Sequence, residues 1–148
     1  MISKFPAHYG NLFLSYKILN MGSIWHHKAV EKEFKIYNNS DSAMTFLMSS
    51  SIIPDFIRLR ITPDTLSPKS LGTIILNYDP VQRSDLGFLR DGLVIHTTDK
   101  EMPLKIISVV ATIEEYFQNE NLHEFSMPFH HIIHSNQFDL INFLILVI

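Results

Sequence analysis

Three histidines in the stretch FHHIIH, near the end of the chain, are the residues best suited to binding a metal ion. On a helix His130 and His134 would share one face, because they are four residues apart, and two imidazoles so placed can bind zinc. Pro128 lies just upstream, however, and the intervening isoleucines fit a strand equally well. Glu124 and Asp139, the nearest carboxylates, have no characteristic spacing. We therefore expect incidental histidines in a polar linker, with no metal and no other cofactor.

Aspartates are the next candidates for chemistry, because paired carboxylates perform acid–base work and clustered ones hold calcium. Five of them lie near the ends of predicted strands: Asp64, Asp79, Asp85, Asp91 and Asp99. Aspartate is also the ordinary turn residue, since its side chain bonds the backbone two residues further on. The turn role is favoured here. Arg83 is expected to form a loop-fixing ion pair between Asp79 and Asp85.

Composition removes several functional classes. The chain has no cysteine, which excludes a disulfide frame, a thiolate metal site and a cysteine nucleophile. With five glycines it has no phosphate-binding loop, and no serine lies in a nucleophile elbow. The formal net charge of −3 gives no reason to expect nucleic acid as a partner. The sequence thus predicts a protein that is not an enzyme.

Apolar residues alternate with polar ones over much of the chain, and this period of two is typical of half-buried strands. The predicted strands are Leu12–Leu19, Val30–Asn38, Ala43–Met48, Phe56–Ile61, Gly72–Asp79, Leu93–Thr98 and Leu104–Glu115. Two prolines make Thr62–Ser70 irregular, and Pro80–Gly92 is a long connection. About seven short strands separated by turn signals predict an all-β, immunoglobulin-like sandwich.

The composition changes after Phe117, which divides the chain into two parts. Residues 10–117 are predicted to form the sandwich, and residues 118–148 a His-rich linker and an apolar C-terminal tail. The N-terminus lacks the continuous apolar stretch of a secretion signal, so either the chain is cytoplasmic or its leader has been removed or misassigned. The run Leu140–Ile148 is about half as long as a membrane-spanning helix.

Three segments carry a resemblance to a known family: EKEFKIYNNSDSAMTF, ITPDTLSPKSLGTIILNYDPVQRSDLGFLRDGLVIHTTD and VVATIEEYF. Their order and spacing resemble a Hydin-type immunoglobulin-like domain, and more narrowly a domain of unknown function common in Bacteroidetes. The resemblance implies a seven-stranded sandwich, often in tandem copies, in exported or envelope-attached proteins, and it supplies no catalytic residues. This chain departs from the pattern because a tail stands where a second copy commonly follows.

The last predicted strand is apolar on both faces, with Ile106 and Val110 on one side and Ile107 and Val109 on the other. A strand solvated on one face should not be apolar on both, so something is expected to cover it. Ile107 and Val109 are therefore candidate contact residues. The tail is expected to dock on its own sandwich or to mediate a homodimer by adding a strand to an edge; the alternative is a disordered tail.

The Pro80–Gly92 connection supplies a second set of candidate contacts. Phe88, Leu89 and Arg90 form an apolar anchor with a polar rim, which is the kind of feature that protein interfaces favour. Alternatively, Phe88 simply caps the open end of the core. The sequence therefore predicts a non-catalytic module that binds or positions another protein. The alternatives are a membrane- or envelope-associated structural segment, with the tail in the membrane interface, and a truncated copy of a tandem-domain protein.

Overall fold

A computed structural model of the protein describes residues 2–115, which form ten strands. The strands are β1 (Ala7–Tyr9), β2 (Leu12–Leu14), β3 (Ile18–Trp25), β4 (Val30–Asn38), β5 (Met44–Thr45), β6 (Ile57–Thr62), β7 (Thr65–Leu66), β8 (Leu71–Tyr78), β9 (Gly87–His96) and β10 (Leu104–Glu114). Short 3₁₀ helices span Ile2–Lys4, Met48–Ser50 and Pro80–Gln82. No α-helix occurs within residues 2–115, and the predicted all-β, immunoglobulin-like sandwich is confirmed.

The strands form two main sheets with the core between them. One sheet has five strands in the order β1-β2-β4-β8-β6, and the other has three in the order β3-β10-β9. β5 and β7 form a separate two-stranded ribbon. The pairs between these strands are antiparallel except for β3 and β10, which run parallel. A single large cluster of aliphatic and aromatic side chains fills the space between the sheets.

Alternation along the strands decides which residues enter this core. In β4, Phe34 and Ile36 are buried whereas the glutamates between Val30 and Phe34 are exposed, as the sequence predicts. In β6, Ile57 and Ile61 are buried and the two arginines point to solvent. The period of two therefore assigns the inner and outer faces of these strands correctly.

The predicted single strand Leu12–Leu19 is wrong. The chain leaves β2 at Leu14 and enters β3 at Ile18, so the two halves belong to different sheets. Leu12 and Leu14 are buried, whereas Tyr16 is exposed. Alternating apolar residues indicate that a segment is extended. They do not show where the chain leaves one sheet and enters the other.

Two further segments were predicted as irregular and contain strands. Between its two prolines, the Thr62–Ser70 segment forms β7, which pairs with β5. The connection that follows β8 ends at Gly87, and the rest of Pro80–Gly92 belongs to β9, where Gly87 pairs with Ile113 of β10. In both cases pairing with a distant strand overrides a local composition rich in turn formers.

The sandwich begins before residue 10, the predicted start of the domain. β1 pairs with β2, and Phe5 joins Phe13 and Tyr37 in a small second cluster on the outer side of the five-stranded sheet. The predicted C-terminal part, residues 118–148, and its docking or dimerisation lie outside the described residues. Within residues 2–115, no helix is both long and apolar enough to cross a membrane.

Candidate interaction surface

The outer side of the three-stranded sheet exposes large apolar side chains, and we call it the apolar face. On its strands lie Ile18, Phe88, Val94, Leu104 and Ile106, and it is flanked by Tyr16 and Ile52. Phe88 is 70%, Ile52 67%, Ile106 63% and Tyr16 60% exposed. Single exposed apolar residues are normal on protein surfaces, whereas a cluster of them marks an interaction site.

Strand register brings several of these residues together. Val94 of β9 pairs directly with Ile106 of β10, and on its other side with Ile52, so the three form one row across the sheet. Side chains directly opposite on neighbouring strands have Cβ atoms about 5 Å apart. In β3, Ile18 pairs with Ser108 of β10 and extends the apolar surface towards Tyr16.

The apolar face carries little charge. On the outward positions of residues 88–96 and 104–112, Arg90 is the one side chain with a full charge, and its Nη2 donates a hydrogen bond to Ser108 Oγ at 3.1 Å. Few charges, together with exposed aromatic and aliphatic side chains and an arginine, make a composition typical of the central part of a protein interface. This surface can therefore dock a partner.

The predicted contact residues fall on both sides of the sheet. Phe88 and Arg90 lie on the apolar face, while Leu89 packs against the core. Ile107 and Val109 are 0% exposed and lie within the core cluster, so neither can contact a partner at the surface. The expectation for these two is therefore wrong: Ile106 holds the outward position on this part of β10.

Phe88 does not cap the open end of the core, which was the alternative role for it. Its side chain is among the most exposed of the apolar residues, and it pairs across the strands with Thr112. A residue that closes a core would lose most of its exposed surface. Phe88 is thus available for contact with another molecule.

Sequence reasoning missed Tyr16, Ile18 and Ile52 as members of the apolar face. A single strand over Leu12–Leu19 would place Tyr16 and Ile18 on the same face as the buried Leu12 and Leu14, and the crossing between sheets removes that alternation. Ile52 lies in no regular strand, and the isolated pairing with Val94 that places it here is a tertiary contact. Ile106 lies opposite in phase to the buried Ile107, and alternation alone could not decide which of the two faces outward, because both are apolar.

Ionisable groups gather at a second place, next to the turn between β1 and β2. Lys105 Nζ donates to Asp99 Oδ2 at 2.9 Å and to the carbonyl oxygens of Tyr9 and Met102 at 2.8 and 2.6 Å. Asp99 also accepts hydrogen bonds from the backbone and side-chain nitrogens of Asn11 and from the backbone of Glu101. Every ammonium proton and both carboxylate oxygens have partners, so this pair is structural.

Burial by itself raises the pKa of the Asp99 carboxyl, but the hydrogen bonds from Lys105, Asn11 and Glu101 outweigh it and lower that pKa to about 2. Burial lowers the pKa of the Lys105 ammonium, and the bond to Asp99 opposes this shift. The lowered pKa of Asp99 favours the charged form of the pair, whereas the lowered pKa of Lys105 favours the neutral form. Three acceptors surround the three ammonium protons, so the geometry favours the charged pair.

Arg83 holds the segment between β8 and β9. Its guanidinium donates to both oxygens of Asp85, at 3.0 and 2.7 Å, to Asp91 Oδ2 at 2.7 Å and to the Tyr78 hydroxyl at 3.0 Å. It also lies 4.3 Å from the centroid of the Phe56 ring. The predicted ion pair between Arg83 and Asp85 is present. The second carboxylate that Arg83 bonds is Asp91 and not Asp79, because β9 begins at Gly87 and holds Asp91 in a strand instead of a loop.

Asp79 behaves as the turn residue that the sequence predicts, since its Oδ1 accepts a hydrogen bond from Val81 N at 3.2 Å. Within residues 2–115, no group of three or more histidine, aspartate or glutamate side chains is placed to hold a metal ion. His130 and His134 lie outside the described residues. The carboxylates described above therefore hold turns and loops in place. The candidate surface for binding a partner in the described part of the chain is the apolar face.

The fold is similar to that of several solved structures. A protein of unknown function from Porphyromonas gingivalis W83 matches with a TM-score of 0.58 and 15% identity, over 72% of this chain and 50% of that one. The chain thus spans half the length of that protein. The ASH/PapD-like domain 7 of human CEP192 matches with a TM-score of 0.51 and 10% identity, over 76% of this chain and 93% of that domain.

A family 123 glycoside hydrolase from Clostridium perfringens also matches, with a TM-score of 0.51 and 9% identity, over 69% of this chain but 24% of the enzyme. At these identities the likenesses show an immunoglobulin-like fold and nothing about activity. No family model and no curated protein matches the sequence.

Proposed function

We propose that this chain is a non-catalytic immunoglobulin-like module that binds another protein through the apolar face. The observation that carries the proposal is the exposure of Phe88, Ile52 and Ile106 on one side of a single sheet. Removing such side chains from water stabilises a complex by about 25 cal/mol for each Å² of apolar surface buried. The ionisable clusters support a role without catalysis, because their hydrogen-bonding capacity is used within the chain.

We propose further that the chain is a Hydin-type immunoglobulin-like domain. The order of the quoted motifs supports a Hydin-type domain of the kind found in Bacteroidetes, and the fold of the Porphyromonas protein is in keeping with that source. A location in the cell envelope and an origin as one copy of a tandem array rest on the same resemblance. Both would be supported by finding an export leader and a second copy in the intact gene.

Site-specific cross-linking in the source cells tests the apolar face. A photoreactive amino acid is placed at Ile106 or, as a matched control, at Val81, which is 54% exposed at the start of the connection between β8 and β9. We expect an adduct with a different protein from position 106 and none from position 81. Ile106 lies on an interface surface under this proposal, whereas Val81 does not.

A second variant separates specific docking from chance proximity. With the photoreactive group at Ile52, the substitution Ile106→Glu should abolish the adduct, because it places a charge next to Val94 in the row that Val94 shares with Ile52. Val81→Glu should leave the adduct unchanged. Equal adducts from positions 106 and 81, no adduct at all, or an adduct only with a second copy of the chain would overturn the proposal.

A further inference from the structure

The outer side of the five-stranded sheet carries two acidic side chains on one strand and two basic ones on another, and we call it the charged face. Glu31 and Glu33 lie on β4, and Arg58 and Arg60 lie on β6, all four exposed. Register aligns them in two rows across β8. Glu31 and Arg58 both pair with Asn77, while Glu33 and Arg60 both pair with Ile75.

The acidic and basic columns do not neutralise each other within the molecule. β8 separates them, and two strand spacings of about 4.8 Å each keep the columns nearly 10 Å apart at the backbone. Among the described residues, no ion pair involves Glu31, Glu33, Arg58 or Arg60. The residues nonetheless form one surface, because a shallow depression of about 200 Å³ is lined by Glu31, Arg58, Arg60, Ile75 and Asn77.

This arrangement is self-complementary under two-fold symmetry. If a second copy faces the first across a two-fold axis parallel to β8, its β4 lies over β6 of the first copy. Each row of one copy then lies over the same row of the other copy, with the β4 end of one over the β6 end of the other. Glu31 therefore faces Arg58 and Glu33 faces Arg60, once on each side of the axis. Such isologous contacts, in which one patch pairs with itself, are the commonest in homodimers.

The central column suits the axis of such a dimer. Thr73, Ile75 and Asn77 of β8 are uncharged and partly exposed, and each would face its own counterpart in the second copy. Four pairs of opposite charge would therefore surround Ile75 and Asn77. Lys35, the next outward residue of β4, donates from Nζ to Thr73 Oγ1 at 3.1 Å, so one positive charge from each copy lies beside Thr73 at the end of this column. Complementary charges of this kind fix register and partner choice more than they fix affinity.

We propose that the charged face is a homodimer interface, in which a second copy of this chain docks face to face with acidic columns over basic ones. Three strands, each about six residues long, cover roughly 300 Å² per copy, below the about 800 Å² per partner of a standard stable interface. The dimer is therefore weak and reversible. Because exposed ion pairs hold it, salt dissociates it.

Sedimentation velocity of the full 148-residue chain at low and high ionic strength tests this proposal. The wild-type chain is expected to form a dimer whose dissociation constant rises with salt. The variants Arg58→Glu/Arg60→Glu and Glu31→Arg/Glu33→Arg should each raise the dissociation constant by about tenfold or more, since like charges then face each other. The control Lys17→Glu/Lys28→Glu changes net charge by the same amount as the first variant on exposed positions elsewhere, and should dimerise like wild type.

Mixing the two charge-reversed variants provides the sharpest test. In each variant alone these four positions carry charges of one sign, so each should be monomeric, whereas the mixture should form a heterodimer. Circular dichroism confirms that both variants are folded. A monomeric wild type, a dimer that is insensitive to salt, or a mixture that stays monomeric would overturn the proposal. Ile106→Glu should leave the dimer intact, so failure here is distinguishable from failure of the apolar face.

Discussion

Lys105 and Asp99 form an ion pair that is shut off from solvent: Nζ lies 2.9 Å from Oδ2, and the two side chains are 0% and 1% exposed. Lys105 also bonds the carbonyl oxygen of Tyr9, and Asp99 bonds Asn11. The pair therefore ties the turn between β1 and β2 to the turn between β9 and β10. It joins the two main sheets at one end of the sandwich.

Removing the cation should strongly destabilise the fold. Lys105→Met leaves the Asp99 carboxylate buried without its counter-charge, and breaking a buried pair in this way costs about 3–5 kcal/mol. Urea unfolding measures the change. The control is Lys69→Met, because Lys69 forms an exposed pair with Asp41 at 3.8 Å, and such a loss costs less than about 1 kcal/mol. Similar losses from both variants would contradict a structural role for the buried pair.

Stability should fall with acidification because of Asp99. Its pKa in the folded chain is about 2, below the unfolded value of about 3.9. The stabilisation that it contributes is therefore complete above about pH 4 and is lost as the pH falls through the folded pKa. We expect the difference in unfolding free energy between wild type and Asp99→Asn to shrink over this interval. Parallel stability curves for the two proteins would refute the assignment to Asp99.

Arg83 should not be replaceable by lysine. Its planar guanidinium bonds both oxygens of Asp85 while it reaches Asp91 and Tyr78, and its side chain is 12% exposed. A single ammonium group cannot bond these separated acceptors at once. We expect Arg83→Lys to cost about 1–3 kcal/mol in unfolding free energy. Asp85→Asn, at the exposed end of the network, should cost less than Arg83→Lys, and the reverse order would show that Asp91 is not the important partner.

Phe88 should contribute little to folding. Because its ring is mostly in solvent, Phe88→Ala is expected to change the unfolding free energy by less than about 0.5 kcal/mol. Leu93→Ala, in the same strand but fully buried, should cost about 2–5 kcal/mol. Thermal or urea unfolding compares the two variants. A large loss from Phe88→Ala would restore its role as a cap of the core.

Local alternation was enough to predict the sandwich and the inner faces of β4 and β6, because burial on one side of a strand leaves a period of two in the sequence. It failed at Tyr16, where the chain crosses between sheets, and at Ile107, where both phases of β10 are apolar. In such a strand the pattern cannot tell the core side from the outer side. That choice depends on which neighbours β10 acquires, and those neighbours lie far away in the sequence.

The polar clusters were the least accessible to sequence reasoning. Asp99 lies at a predicted turn, and its side chain accepts a hydrogen bond from the backbone of Glu101, two residues further on. Nothing in the neighbouring sequence indicates that Asn11 is also its partner. Asn38 is similar: it ends the predicted strand Val30–Asn38, yet its side-chain amide is buried and donates to the carbonyl oxygens of Ser42, Leu66 and Ser67. Side chains that bond distant segments can be identified only once the fold shows which segments are neighbours.

The parallel pairing of β3 with β10 also constrains how the chain is made. Ile18 is opposite Ser108, so on the ribosome β3 emerges long before the strand that receives it. Until then, the nascent chain holds β3 without its sheet partner, and contacts between such distant segments form slowly. Completion of the fold therefore waits for translation of β10, and until then the unpaired edge of β3 is open to aggregation.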